Sequence, residues 1–497
     1  HNELNYIDST EWALYYEFII NLHKGGESFM TEKRKRKLAM PDTLIIVASV
    51  VLLVAILSWI IPSGTYDYQE MNINGRIRNV AIDGTYHTID KSEVTTTGFL
   101  GFFSVLYRGC VEAADVIFMI LCCCGTFGVV VKTGAFHAGI GTILKKLKGK
   151  EILLVPIIML IFGLGGSVFG MASEFYGFYP LIVGLGVALG YDAMFGFAII
   201  AVGEFVGFMG ATLNPYSVGI AQTISGVELY SGTGYRTICF VIFMVISIIY
   251  VMMYGRKIKK NPGASVVFGE KNIHAFDRDE LNEYSFTLKD GLVLLDVLVV
   301  LVVLMFGLIK WGWDFPQLCG LFLLMSMIAA AICKWSPNKW CSEFIDSAKT
   351  AMWGCILTGI AKAITVVMQD AQIMDTVIYG LSNVLKNAPH AVSAQVMLVV
   401  QTLINFFIPS ATGQASATMP IMAQLADIIG VSRQTAVLAF QFGDGLSNIF
   451  WPTADIVIIC GLGGISLQKW YKWFTPLFLI LFATQAILLG IATGIGF

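Results

Sequence analysis

Glu151 to Pro215 reads EILLVPIIMLIFGLGGSVFGMASEFYGFYPLIVGLGVALGYDAMFGFAIIAVGEFVGFMGATLNP. Two apolar runs flank a glycine-rich, polar centre from Gly163 to Glu174. A third apolar run carries Glu204 and breaks at Thr212-Leu213-Asn214-Pro215. Each flanking run is about 17–19 residues, near the lower limit for a membrane-spanning helix. Hydrocarbon offers no hydrogen bonds. Irregular backbone persists there only under protein or beside a water-filled cavity. Interrupted apolar segments of this kind point to the binding site of a transporter.

The pattern recurs. Ala391 to Pro452 reads AVSAQVMLVVQTLINFFIPSATGQASATMPIMAQLADIIGVSRQTAVLAFQFGDGLSNIFWP. Setting Pro180 on Pro420 gives a shift of 420 − 180 = 240 residues. Glu174 then falls on Gln414, Gly190 on Gly430, Gly203-Glu204 on Gly443-Asp444, and Gly207 on Ser447. Pro215 meets Pro452 after a three-residue gap. Glycine and proline recur in any apolar chain, but here their order recurs as well.

Composition agrees. The chain has 497 residues, of which 56% are hydrophobic and only 13% charged, against about 25% charged in soluble domains. Several runs approach the roughly 20 apolar residues of a spanning helix, so the fold class is an all-α polytopic membrane protein. A net charge of −2 gives no footing for nucleic acid. Cys122-Cys123-Cys124 point different ways around a helix and read as buried thiols, not as a metal site. No His-Glu-x-x-His and no Walker motif is present, so neither a zinc hydrolase nor an ATP-driven pump is expected. No cofactor is expected beyond a coupling Na⁺ or H⁺.

Residues 1–29 begin with His1, and Lys24-Gly25-Gly26-Glu27 has the form of a translated ribosome-binding site ahead of Met30. An over-extended or non-native start is expected there. The basic run Lys33 to Lys37 precedes a first span, Leu44–Ile61, which puts the N-terminus in the cytoplasm of a bacterial inner-membrane protein. Ser63–Thr97 is an external loop with a small hairpin, marked by Asn74-Gly75 and Asp83-Gly84. Gly98–Glu112 is amphipathic and expected along the membrane surface. Ala114–Val131 returns inside to a basic interfacial arm, Thr133–Lys150, which carries His137.

The charges that follow fall on consistent sides only if 151–190 is a re-entrant hairpin. A broken helix, 193–220, then goes out, and Thr237–Met253 returns to Arg256-Lys257-Ile258-Lys259-Lys260. This completes a first repeat, 30–260, followed by a cytoplasmic linker, 261–289. In the second repeat, 290–497, Leu292–Ile309, Leu318–Cys333 and Thr350–Met368 each cross. The second arm, Asp370–His390, is therefore external, and a second hairpin, 391–430, enters from outside. A broken helix, 435–459, and a last span, Trp473–Ile491, finish the chain. The total is nine spans and two hairpins in inverted topology.

Tips and breaks bring hydroxyls and amides to one depth. The candidates for substrate binding are Ser167, Ser173, Asn214, Asn405, Ser410, Thr412, Gln414, Asn448 and Thr453, with Ser416 nearby. Helix N-termini favour a carboxylate, whereas unwound carbonyls favour cations. Any one hydroxyl is explained as well by helix capping or an interhelical bond. The acids are more informative, because a carboxylate at membrane depth is costly. Glu174 joins the substrate set, and Glu204, Asp444 and Asp455 are candidates for ion or proton coupling. Arg433, at a loop, is the one basic residue of the two central segments. A dianion calls for Arg or Lys. The excess of acid favours exchange of a basic amino acid such as arginine or ornithine. An ion-coupled carrier of C4-dicarboxylates or other small organic acids is the alternative.

GGSVFGMASEFYGFYP, GATLNPYS, PSATGQASATMP and GDGLSNIFWPTAD resemble the YfcC-like branch of the C4-dicarboxylate anaerobic carrier family, in the ion transporter superfamily. The resemblance covers nearly everything from Met30 on. It implies a homodimer in the lipid bilayer, a scaffold, a transport domain holding both hairpins, and elevator motion. Members are assigned both dicarboxylates and basic amino acids. Related dicarboxylate carriers have Ser-Asn-Thr at both hairpin tips. Here the tips read Ser173-Glu174 and Ser410-Ala411-Thr412-Gly413-Gln414, a departure at the carboxylate-binding position.

The topology is testable with single cysteines in a background lacking reactive thiols. Asp83→Cys is expected to react with an impermeant maleimide from outside, and Lys257→Cys and Lys334→Cys only from the cytoplasmic face. Labelling of the first two from one side would sink the inverted arrangement.

Overall fold

The computed structural model describes residues 42–497 except 74–75, 148–150, 271–273, 275–285 and 387–391. The over-extended start expected at 1–29 and the Asn74-Gly75 turn lie outside the described residues. In chain order the first elements are α1 (Thr43–Ile60), β1 (Ser63–Thr65), β2 (Tyr68–Ile73), β3 (Arg76–Ala81), β4 (His87–Ile89), α2 (Phe99–Glu112), α3 (Ala114–Lys132) and α4 (Ala135–Leu147). Next come α5 (Leu154–Leu164), a π-helical turn (Gly165–Phe169), a 3-10 turn (Ser173–Phe175), α6 (Phe178–Ala188), α7 (Ala193–Met209), α8 (Val218–Ile224) and α9 (Thr233–Lys260). The remainder is α10 (Leu288–Lys310), α11 (Phe315–Ile332), α12 (Pro337–Lys349), α13 (Met352–Asp370), α14 (Met374–Lys386), α15 (Ser393–Phe407), α16 (Ala411–Ile428), α17 (Arg433–Ser447), α18 (Asp455–Gly463) and α19 (Leu467–Gly494).

Among the described residues seven helices are long and apolar enough to cross a membrane: α1, α3, α9, α10, α11, α13 and α19. The chain is a multi-pass membrane protein. These seven fall on seven of the nine segments read as spans. The other two segments are the interrupted pairs α7/α8 and α17/α18.

The 240-residue shift carries into the helix boundaries. Ala193, the first residue of α7, maps onto Arg433, the first of α17. Each start has a side-chain cap, Asp192 Oδ1 accepting from Phe195 N at 2.7 Å and Ser432 Oγ from Thr435 N at 3.0 Å. Ala188, the last residue of α6, maps onto Ile428, the last of α16. The three-residue gap at the prolines then takes Val218, the start of α8, onto Asp455, the start of α18. Two expected boundaries move. The first broken helix runs on to Ile224, past residue 220, and the second spans Arg433–Gly463, wider than 435–459. The linker also ends earlier than 289, because Thr287 and Asp290 form a capping box that starts α10.

The core is built on α7 and α17. Every residue of α7 is buried, and so is every residue of α17 from Thr435 to Ser447. Helices α5 and α6 both pack on α7, α15 and α16 both pack on α17, and α7 and α17 touch each other. The α5–α7 crossing has no room for a side chain. A Cβ on Gly207 would stand 2.0 Å from the Gly163 carbonyl oxygen. Helix α2 does not stand apart on a surface. Gly109 seats it against the middle of α13, where a Cβ would meet the Gly359 carbonyl oxygen and the Ala363 backbone.

Residues 63–89 form two antiparallel strand pairs, β1 with β4 and β2 with β3. Asp375 on α14 anchors them, accepting from Tyr66 N at 3.0 Å and Tyr68 Oη at 2.8 Å. The hairpin expected between spans is therefore present and fixed to the helical body.

Gly207→Ala is expected to destabilise the protein by about 1–3 kcal/mol, because only backbone could yield. Gly380→Ala on α14, with open space around its Cα, is expected to leave the melting temperature in detergent unchanged or raised. Equal melting temperatures for both variants would contradict this packing.

Candidate functional site

Four interruptions converge. In the first, α5 ends in the π turn and reverses at Gly170, which has φ of +69°. A Cβ there would stand 2.4 Å from Asn214 Oδ1, so the position requires glycine twice over. The Ser167 carbonyl oxygen accepts from Thr212 N at 2.9 Å and Leu213 N at 3.2 Å. Ser167 Oγ donates to the Gly210 carbonyl at 3.1 Å. Asn214 Oδ1 accepts from Tyr216 N at 2.9 Å and Ser217 N at 3.2 Å. These bonds satisfy backbone groups that α7 releases where it stops.

The second half supplies a tighter cluster. Asn405 Nδ2 lies 3.2 Å from Gln414 Oε1, 3.0 Å from Asp444 Oδ1 and 3.0 Å from Asn448 Oδ1. An amide nitrogen carries two hydrogens, so it cannot satisfy three acceptors at once. Among the described residues Asn405 Oδ1 and Asp444 Oδ2 are buried without a hydrogen-bond partner. All four residues are buried, Asp444 completely. The cluster is rich in acceptor oxygens and short of donors. A proton or a small cation would complete it.

Tyrosines tie the remaining acids. Tyr176 Oη donates to Asp455 Oδ1 at 3.0 Å, joining the first hairpin segment to the second break. Tyr179 Oη donates to Glu204 Oε2 at 2.9 Å, while Glu204 Oε1 has no hydrogen-bond partner among the described residues. Glu174 Oε2 accepts from Ala172 N at 3.0 Å. Asp455 stands within Coulombic range of both Glu204 and Asp444. Thr412 Oγ1 donates to the Tyr216 carbonyl at 2.9 Å, the reciprocal link from the second tip to the first break.

The expected residues therefore sort by location. Ser167 and Asn214 meet at the first break, and Asn405, Gln414, Asp444 and Asn448 meet at the second. Asp455 accepts from Tyr176, and Glu174 lies two residues before that tyrosine in the 3-10 turn. Thr453 Oγ1 is buried at the second break without a hydrogen-bond partner among the described residues. Ser173 opens the 3-10 turn, and its carbonyl accepts from Tyr176 N at 3.2 Å. Ser410 is exposed and caps α16 through Gly413 N at 3.3 Å, outside the buried cluster. Ser416 Oγ donates to the Thr412 carbonyl within its own helix. Arg433 is outside the site, bonded to Asp427 and to the Ser225 carbonyl.

Sequence reading missed several groups. Tyr176 and Tyr179 sit in the quoted hairpin, where a neutral side chain among apolar residues carries no charge to mark it. Arg236 is buried, with its guanidinium on the Ser231 carbonyl and Gln434 Oε1, each at 3.0 Å. Gln434 is ten residues, or about 15 Å, along α17 from Asp444, so this cation does not reach the acids. Asp296 on α10 has a buried oxygen without a partner. Lys362 lies mid-way along α13. A charge inside an apolar run is the signal that marks both in the sequence.

A polytopic helical body with two interrupted helix pairs around buried, unpaired carboxylates is the build of a membrane carrier. Residues 40–494 match the family model of the DcuC C4-dicarboxylate anaerobic carrier. The chain belongs to that family and is a membrane transporter. It is 32% identical over 497 residues to the Escherichia coli protein named "Putative basic amino acid antiporter YfcC", covering 93% of this chain and 98% of the relative. It is 27% identical to an uncharacterized protein of Haemophilus influenzae, covering 92% and 97%. Among solved structures it is similar to the YdaH transporter of Alcanivorax borkumensis, at a TM-score of 0.41 and 15% identity over 92% of this chain and 99% of that one. MtrF of Neisseria gonorrhoeae matches at 0.42 and 16%, over 92% and 96%.

Asp444→Asn removes a buried oxygen that lacks a partner and adds a donor to a donor-poor cluster. Melting in detergent is expected unchanged or raised, by up to about 1–3 kcal/mol. A melting temperature lowered as far as that of Gly207→Ala would contradict the donor deficit.

Proposed function

We propose that this chain exchanges a basic amino acid, of the arginine or ornithine type, across the bacterial inner membrane by alternating access. One observation carries the reading. Glu174, Glu204 and Asp444 are buried and Asp455 half-buried, and none is in an ion pair among the described residues. Like charges collected out of water need a neutralising proton, cation or substrate. In this proposal Asp455, bonded to Tyr176, and Glu174, two residues before that tyrosine, take the cationic end of the substrate. Glu204 and Asp444, closed from solvent, take the coupling proton or Na⁺. Ser167, Ser173, Asn214, Asn405, Ser410, Thr412, Gln414, Asn448 and Thr453 remain the proposed polar surround. The E. coli relative's name agrees with this substrate class.

The architecture is proposed with it. Counting the two interrupted pairs as spans gives nine. The 240-residue shift, which matches helix starts and stops, supports an inverted repeat with two re-entrant hairpins. Elevator motion, a homodimer and a cytoplasmic N-terminus belong to the same proposal. A second reading, ion-coupled carriage of a C4-dicarboxylate, is favoured by the family description.

Proteoliposomes loaded with ornithine separate the two. Labelled arginine is expected to enter, with ornithine competing and succinate and fumarate not. Glu174→Gln and Asp444→Asn are expected to lower uptake at least tenfold. Uptake of succinate with none of arginine would overturn the basic amino acid in favour of the dicarboxylate.

A further inference from the structure

Helix α13 is the most enclosed of the seven long helices. Of its 18-residue apolar window 61% is buried, against 28–50% in the other six. Yet Lys362, near its middle, is exposed. Among the described residues the ammonium makes no hydrogen bond and no ion pair. A bare ammonium half-way along a membrane helix is costly and needs water or a carboxylate.

The surroundings of α13 fix the direction of this side chain. Successive residues turn by about 100° around a helix. Gly359 and Ala363 face α2, where Gly109 and Cys110 seat against them. Gly354 faces α18, beside the Ile458 carbonyl, Gly461 and Leu462. Lys362 projects between these two directions, about 80° from each. Thr358, Thr365 and Gln369 share its sector. The exposed apolar side chains Met352, Trp353 and Ile356 centre about 130° away, the side suited to lipid. Lys362 therefore points between α2 and α18 and away from that apolar face, on the side where Cys355, two turns earlier, meets the Ile117 carbonyl of α3.

The depth is set as well. Lys362 lies eight residues, or about 12 Å, beyond Gly354. Asp455 lies six residues, or about 9 Å, before Gly461, which touches Gly354. Both stretches lead toward the same end. Trp451, just before α18, stacks edge-on against Phe406, and its neighbour Phe407 packs on the cluster of Ile364 and Val367 in the second half of α13. Lys362 thus stands level with the second break and its unpartnered Thr453 Oγ1. The charges on the neighbouring stretches are Arg108, held by Asp370 at 2.9 Å, and Glu112 on α2, with Asp115 in the first turn of α3.

We propose that Lys362 is a specificity-determining cation of the transport pathway, holding a carboxylate of the substrate across from the second break. This rests on the proposed carrier function. The acids at Tyr176 would take one end of a basic amino acid, and Lys362 its α-carboxylate. A flexible ammonium donates to a carboxylate without demanding one fixed geometry.

Arginine uptake into proteoliposomes, and its inhibition by agmatine, which lacks the carboxylate, test this. Lys362→Gln is expected to raise the KM for arginine tenfold or more, with the agmatine half-inhibition unchanged and the melting temperature that of the parent. Lys362→Arg is expected to recover most of the loss. An unchanged arginine KM, or equal weakening of arginine and agmatine, would overturn the proposal. So would the same KM rise in Glu112→Gln, which would make Lys362 half of an internal ion pair. If the parent carries succinate and not arginine, the basic-substrate reading fails alone. Lys362→Gln is then scored on succinate, where a KM unchanged within twofold would overturn the role of Lys362.

Discussion

Backbone freed where a helix stops inside an apolar body must find partners within the protein. The Ser167 carbonyl answers the Thr212 and Leu213 amides, and Asn214 answers Tyr216 and Ser217. Two side chains then bind one half of the chain to the other: Thr412 reaches the Tyr216 carbonyl, and Tyr176 reaches Asp455. Without these bonds each break would leave bare amides and carbonyls at a cost of several kcal/mol per group. The buried helix α7, the buried stretch Thr435–Ser447 of α17, and the side-chain-free crossing of Gly207 on Gly163 hold the breaks in place.

The same solution leaves a chemical remainder. Acceptors outnumber donors around Asn405, and Asp455 stands within range of both Glu204 and Asp444. A purely structural core would have been completed by apolar groups or by a basic partner. Here the nearest buried guanidinium, Arg236, is already spoken for by Ser231 and Gln434. The deficit is thus one that a mobile proton, cation or substrate can fill, which is what a carrier requires. Lys362 adds a fixed charge of the opposite sign on a helix outside both interrupted pairs. Basic amino acids carry both signs, so acids on one side and a single ammonium on the other form a charge pattern complementary to them.

Much of this was legible in the chain. The recurrence of Pro180 at Pro420 anticipated helices that start at Ala193 and Arg433 and stop at Ala188 and Ile428. Apolar runs and their polar interruptions are local properties, and helix caps such as Asp192 and Ser432 lie next to what they cap. The acids were legible for the same reason, because a carboxylate stands out in an apolar run. Ser410 shows where this reasoning stops: a hydroxyl at a tip looked like a ligand, and it caps α16 in the open.

Sequence by itself thus determined the class of protein, the paired interruptions and the identities of the buried acids. Each depends on the solubility of a short segment in hydrocarbon. Tertiary structure alone decided which groups meet. Asn405 faces Asp444 across 39 residues, Tyr176 faces Asp455 across 279, and Arg236 is consumed by Gln434 across 198. It also decided that Lys362 points between α2 and α18 and that α2 faces a helix. Those outcomes depend on how helices cross, and a crossing is set by side-chain volume on both partners, such as the two glycines at 163 and 207. No one segment carries that information.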